Sequence, residues 1–182
     1  KTKKVGGYLF NGYWEDVGTI KAFWKANIDF ALTHPKFDFY ENLIYTNARH
    51  LPGSRLVNCK VDESMICEGS YIKSGSITRS VIGIRSIISE NVTIENSVVM
   101  GADFYENENG KVYNAKHNIV DIGIGSNTII KNGIIDKNAR IGKNCKIINK
   151  NNLTNFDSSN YYIREGIIIV PKNSIIKDNT EI

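Results

Sequence analysis

Ile124-Gly-Ser-Asn-Thr-Ile-Ile130-Lys-Asn-Gly-Ile-Ile135-Asp-Lys-Asn-Ala-Arg-Ile141-Gly-Lys-Asn-Cys-Lys-Ile147 decides the fold of this chain. A branched apolar residue returns about every six positions, with Gly, Asn, Ser and Lys between. Neither an α-helix nor an alternating strand has that period. A β-helix does: each short strand and its turn take about six residues, and three such units close one coil. Working outward, the same beat runs back through Ile66, Ile72, Ile77, Ile82, Ile88, Ile94 and Met100, and forward through Val170, Ile176 and Ile182. These positions are expected to face the coil axis, where β-branched side chains suit strand geometry and fill a narrow interior.

The corners are expected at Glu68-Gly69, Ser74-Gly75, Glu90-Asn91, Lys137-Asn138, Lys143-Asn144 and Lys172-Asn173, because Gly and Asn tolerate left-handed backbone. Two polar interruptions break the beat, Gly101 to Asp121 and Asn149 to Tyr162. Insertions in a solenoid project from one face and often carry binding or assembly contacts.

Upstream of the repeat the pattern changes. Lys4 to Phe10 reads as a strand ending at the Asn11-Gly12 turn pair. From Thr19, a plausible N-cap, Ile20, Phe23, Trp24, Asn27, Ile28, Ala31 and Leu32 recur at helical spacing, and the helix should stop before His34-Pro35. The stretch 34–56 has no period, yet Phe37, Phe39, Tyr40 and Tyr45 make it too aromatic for a flexible tether. It reads as a packed linker between an N-terminal unit, 1–33, and a coil spanning 57–182.

Composition narrows the function classes. The 182 residues are 41% hydrophobic and 23% charged, with a formal net charge of +4, which suits one compact domain with local anion sites. The cations are scattered, and the basic start Lys1-Thr-Lys3-Lys4 is too short for a nucleic-acid arm, so no nucleic-acid partner is expected. No apolar stretch approaches membrane-spanning length. Cys59, Cys67 and Cys145 have unrelated spacings and read as reduced, mostly buried thiols with no metal motif.

Three groups of residues could carry chemistry. Asp16 follows a strand and precedes a helix, where a carboxylate can hold Mg²⁺ with a second carboxylate and substrate phosphates, or simply face the helix dipole. Arg49, Lys137 and Lys172 form an anion pocket if linker and coil corners converge; otherwise they are solvated surface charge. His34, His50 and His117 suit neither a shared zinc site nor a coil-wall general base. No Gly-rich phosphate loop or nucleophile elbow is present.

Gly12-Tyr-Trp-Glu-Asp-Val-Gly-Thr-Ile-Lys-Ala-Phe23, Met100-Gly-Ala-Asp-Phe-Tyr-Glu106 and Ile134-Ile-Asp-Lys-Asn-Ala-Arg-Ile-Gly142 resemble ADP-glucose pyrophosphorylase (glucose-1-phosphate adenylyltransferase) of the plant and cyanobacterial type. Tyr45-Thr-Asn-Ala-Arg-His-Leu-Pro52 and Tyr162-Ile-Arg-Glu-Gly166 extend the likeness over essentially the whole chain. The resemblance implies a mainly β chain: a left-handed parallel β-helix of hexapeptide repeats, preceded by the last strand and helix of an α/β nucleotidyltransferase domain. That family joins glucose 1-phosphate to ATP, giving ADP-glucose and pyrophosphate for starch or glycogen synthesis.

By the same resemblance Asp16 matches a Mg²⁺-binding aspartate. Arg49, Lys137 and Lys172 match positions used for the effectors 3-phosphoglycerate and phosphate. The expected assembly is a homo- or hetero-tetramer, in the plastid stroma or alternatively a bacterial cytoplasm. The family's nucleotide loop, first metal aspartate and sugar-phosphate lysine lie upstream of what corresponds to Lys1, so the chain is expected to be a C-terminal portion lacking most of the active site. Departures fall at the effector positions: Asn47-Ala48-Arg49 replaces Gln-Pro-Arg, His50 replaces a Tyr, and Pro171 precedes Lys172 where an aliphatic is usual. Two rival readings are a non-catalytic assembly module that binds phosphorylated metabolites and a His-dependent hexapeptide acyltransferase.

Overall fold

The computed structural model of the chain describes residues 3–41 and 44–182; the basic start and the linker therefore each fall partly outside it. Among the described residues, eighteen short strands form three sheets. The first wall stacks Arg55–Leu56, Tyr71–Ile72, Ile87–Ile88, Gly123–Ile124, Arg140–Ile141 and Ile175–Ile176. The second stacks Cys59–Asp62, Gly75–Thr78, Val92–Glu95, Ile129–Lys131 and Lys146–Ile147. The third stacks Met65–Ile66, Val81–Ile82, Val98–Val99, Gly133–Ile135 and Ile167–Val170. Within each wall these strands are parallel, and consecutive strands of the chain lie in different walls, which is a parallel β-helix.

Register turns the sequence beat into three axial columns. Ile72, Ile88, Ile124, Ile141 and Ile176 lie directly above one another. So do Val61, Ile77, Ile94, Ile130 and Ile147 on the second wall, and Ile66, Ile82, Val99, Ile135 and Val170 on the third. Most of these side chains are wholly buried and merge into one core. Each buried Ile removes enough apolar surface to stabilise the fold by about 2–3 kcal/mol. Ile66, in the first coil, is only half-buried.

One inward position differs from the expectation. Val99, not Met100, continues the third column, while Met100 points outward and packs beside Val98, Ile134 and Ile167. Across the corner between the second and third walls the inward residues are five apart, not six: Ile77 to Ile82, Ile94 to Val99, Ile130 to Ile135. Counting six past Ile94 therefore overshoots by one.

The corners sit where Gly and Asn were expected. Asn91, Asn138, Asn144 and Asn173 have φ of 57°, 59°, 56° and 61°. Such a backbone costs an ordinary L-residue about 1–2 kcal/mol, which Asn reduces by local hydrogen bonding. Asparagine amides also stack along one corner: Asn91 donates to Asn127, Asn127 to Asn144 and Asn144 to Asn179, at 3.3, 3.1 and 3.1 Å.

The helix α1 spans Ile20–Ala31, with Thr19 as N-cap accepting from the Ala22 amide. It lies on the outside of the third wall, where Ile28, Phe23 and Trp24 cover Val81, Val98, Ile134 and Ile167. Trp24 Nε1 donates to the Asn96 carbonyl at 2.8 Å. In the linker, Phe37 and Phe39 pack against each other and on Tyr13 and Phe30.

The strand expected over Lys4–Phe10 is not formed. Residues 3–10 are exposed and irregular, because a strand needs a neighbour for its backbone groups and none of the described residues supplies one. The coil begins with Arg55–Leu56, which pairs with Tyr71–Ile72 inside the segment read as linker.

Both interruptions are folded. The first carries α2, Glu108–His117, with Asn107 as N-cap and Asn118 closing it at φ 52°. The second turns back on the third wall as an antiparallel hairpin, Asn155–Asp157 with Tyr162–Arg164. All three cysteines are free; Cys145 is buried, whereas Cys59 and Cys67 are half-buried. Among the described residues no helix is long and apolar enough to cross a membrane.

Candidate anion-binding site

The corner between the third and first walls brings two of the expected cations together. Backbone bonds fix its register: the Arg85 amide donates to Glu68, Ala102 to Ile84, Asn138 to Gly101 and Asn173 to Lys137. Lys137 and Lys172 therefore occupy the same corner position on neighbouring rungs, and strand neighbours stand about 4.8 Å apart. Their ammonium groups converge on one acceptor, Asp103.

The rung before them is Gly101, where the chain leaves the coil. Gly101 has φ 82°, and a Cβ there would collide with the Ile84 carbonyl oxygen. This glycine lets the first insertion peel away sharply, so Asp103 lands between the lysines two residues later. Lys137 Nζ donates to Asp103 Oδ1 at 3.2 Å, and Lys172 Nζ donates to Asp103 Oδ2 at 2.8 Å. Asn138, buried in the corner, grips the same residue twice. Its Oδ1 accepts from the Asp103 amide at 2.8 Å, and its Nδ2 donates to Oδ2 at 3.0 Å.

Electrostatics follow from that geometry. Lys172 foremost, then Asn138 and Lys137, hold the Asp103 carboxyl far below the usual carboxylate range. Asp103 in turn raises the Lys172 ammonium. Asp136 folds back to accept the Lys137 amide at 2.6 Å. All of these charges are reachable from solvent, with the Lys137 and Lys172 side chains 35% and 50% exposed.

The strap beyond Asp103 is anchored at both ends. Tyr105 Oη donates to the Gly69 carbonyl at 2.7 Å, reaching back down the same corner. Glu106 accepts from Arg140 at 2.7 Å, from the Ile122 amide at 2.6 Å and from Asn114 of α2 at 2.9 Å. Arg140 also donates to the Val120 carbonyl at 2.7 Å. The insertion is thus pinned to the coil by ionic and polar contacts, not by an apolar face.

Arg49 is not brought into this cluster. It is exposed and makes no ion pair among the described residues. Its segment meets the same corner lower down, where the Pro52 carbonyl accepts from the Gly69 amide at 2.8 Å. Gly69 lies three rungs below Asn138, which is roughly 14 Å along the axis.

Asp16 is exposed at the foot of α1, and its Oδ1 accepts from the Gly18 amide at 2.8 Å. Among the described residues no group of three or more His, Cys, Asp or Glu side chains could hold a metal ion. A lone carboxylate does not make a Mg²⁺ site, so the role expected of Asp16 needs donors from other groups. The histidines stay apart: His34 and His50 are exposed, and His117 stacks on Tyr113 at 4.0 Å in α2.

Sequence reasoning had Lys137 and Lys172 but not Asp103, Asn138 or the Arg140–Glu106 clamp. A signal for Asp103 was present: a carboxylate two residues after a glycine that ends a strand, one coil before Lys137.

Residues 49–181 match the family model described as the GLGC left-handed parallel beta-helix domain. The match spans the whole coil, both insertions and the lysine corner.

Proposed function

This chain belongs to the GLGC left-handed parallel β-helix family, and on that premise we propose that it is the regulatory and assembly portion of a glucose-1-phosphate adenylyltransferase whose coil senses phosphorylated effectors. One observation carries the sensing role: Lys137 and Lys172 stand on neighbouring rungs of one corner and converge on a single carboxylate. Two ammonium groups that can share two oxygens of one carboxylate can share two oxygens of one phosphate. A phosphate monoester, 3-phosphoglycerate or inorganic phosphate, is the ligand class that this pair suits. Arg49 is the third cation of the proposal, brought in if its exposed segment closes on the ligand.

In the parent reaction the phosphate of glucose 1-phosphate attacks the α-phosphorus of ATP and pyrophosphate leaves. Mg²⁺, when bound, neutralises charge that develops on the phosphates. Asp16 would supply a carboxylate oxygen to that ion, its orientation fixed by the Gly18 amide. The assembly proposed with this reading is a tetramer built through this domain.

The test is a phosphate titration of the 182-residue chain at low ionic strength, read by ³¹P NMR line shape. Wild type should bind, and Lys137→Ala with Lys172→Ala should abolish binding. Equal binding by the double variant would place the anion site elsewhere. In an enzyme that carries the nucleotide-binding domain, the same pair of changes should raise the activator concentration needed. Asp16→Asn should lower turnover without changing assembly.

A further inference from the structure

We propose that Asp103 is a resident carboxylate in the Lys137–Lys172 anion site, so that a phosphorylated ligand binds by taking both ammonium groups from it. This rests on the reading of that corner as a phosphate site and adds how the site is regulated. The geometry is that of a ligand already in place. Each lysine bonds a different oxygen of the carboxylate, at 3.2 and 2.8 Å, as two cations would share a phosphate.

The carboxylate is built in, and the lysines are the movable parts. Asn138 holds Asp103 by backbone and side chain together. Asn138 is itself fixed, buried and left-handed, with its amide bonded to the Gly101 carbonyl. On the far side, Tyr105 and Glu106 tie the strap to Gly69 and Arg140. Asp103 therefore has little room to leave. Lys137 and Lys172 have long, half-exposed side chains that can swing to a new partner at small entropic difference.

Charge balance gives the arrangement its sign. Two lysines face Asp103 and Asp136, so the resting corner is close to neutral. A phosphate dianion approaching it meets no net attraction until Asp103 is outcompeted. Asp103 therefore raises the effector concentration at which the site half-fills, although it need not touch the ligand.

The test compares inorganic phosphate binding by the wild-type chain and by Asp103→Asn, with Lys137→Ala plus Lys172→Ala as background. The amide keeps the shape that Asn138 grips and removes the charge. Asp103→Asn should bind phosphate roughly two- to fivefold more tightly, the weight of one exposed ion pair. That gain should vanish in the double-lysine background. Unchanged or weaker binding would overturn the proposal while leaving the phosphate site standing, since Asp103 would then organise the lysines. A gain that persists without the lysines would also overturn it, as general electrostatics. No binding by either chain would remove the phosphate site and this inference with it.

A second readout needs no variant. In wild type the Asp103 carboxyl ¹³C signal should move with the same phosphate midpoint as the Lys137 and Lys172 side-chain signals. A carboxyl signal that stays still while the lysines shift would sink the exchange.

Discussion

Arg140 and Glu106 meet at 2.7 Å at the seam where the first insertion leaves and rejoins the coil. Arg140 stands on a coil strand, Glu106 on the strap, and Asn114 of α2 and the Ile122 amide complete the carboxylate's shell. Glu106 is 9% exposed, so deleting one partner leaves a charge that water reaches poorly. Glu106→Ala is expected to cost about 3 kcal/mol of folding stability. Urea denaturation measures it; a loss below about 1 kcal/mol would mean that the pair behaves as an ordinary surface contact.

Stability should fall in acid through named carboxylates. Glu90 is lowered from 4.5 to about 2 by Ser126 first, then by its own backbone and Lys73. Burial pushes Glu106 up, but the Ile122 amide, Asn114 and Arg140 outweigh it and leave it below the usual range. A depressed native value means that the folded state binds the proton less readily than the unfolded chain. The stabilisation is thus complete above the unfolded value and is lost as pH drops towards the native one. Carboxyl ¹³C titration should place the Glu90 midpoint at about 2. A midpoint near 4.5 would show that the Ser126 and Lys73 contacts do not persist.

The axial columns predict a steep contrast between neighbours. Ile88 is 1% exposed and sits between Ile72 and Ile124 on the first wall. Ile88→Ala should cost about 4 kcal/mol, because the rungs above and below cannot collapse into the hole. Met100→Ala should cost roughly half that or less, since Met100 lies outside the coil among partly buried contacts. Equal losses in denaturant melts would return Met100 to the core.

Left-handed corners predict a residue ranking. At Asn144, φ 56°, alanine loses both the amide ladder and a conformation that Asn tolerates. Asn144→Ala should cost about 1–2 kcal/mol, and Asn144→Gly less, because glycine removes only the ladder. If glycine were the worse of the two, the stacked amides, not the backbone, would dominate the corner.

The periodic part of this molecule was readable because a solenoid repeats one local solution. Ile77, Ile88, Ile130 and Ile141 each sit at the same place in the same small unit, so sequence spacing and spatial neighbours coincide. Met100 marks the limit: a corner one residue shorter than its fellows moves Val99 inward, and side-chain type alone does not separate Val from Met there. The lysine corner was half readable. Lys137 and Lys172 are 35 positions apart, and they become neighbours because the segment between them folds back as a hairpin and returns the chain to the same wall in register. Asp103 and Glu106 were not readable as partners of the coil, because the insertion carries no hydrophobic period. Nothing in its pattern marks which carboxylate faces Lys137 and Arg140. Lys4–Phe10 shows the converse: an apolar run has strand propensity, but a ladder needs a second chain segment beside it.

The rung register described for Lys137 and Lys172 works as a ruler. Their separation is set by peptide geometry, not by side chains, so substitution at either position can alter the kind of charge offered but not the gap between charges. Lengthening or shortening the hairpin that joins Lys146–Ile147 to Ile167–Val170 would leave that gap untouched. Removing a single residue between Ile167 and Lys172 would instead turn the second ammonium toward another wall. A graded change in loop length thus gives no change in measure, and a change of one residue inside the rung gives a complete one: the site is digital in the backbone and tunable only in its tips.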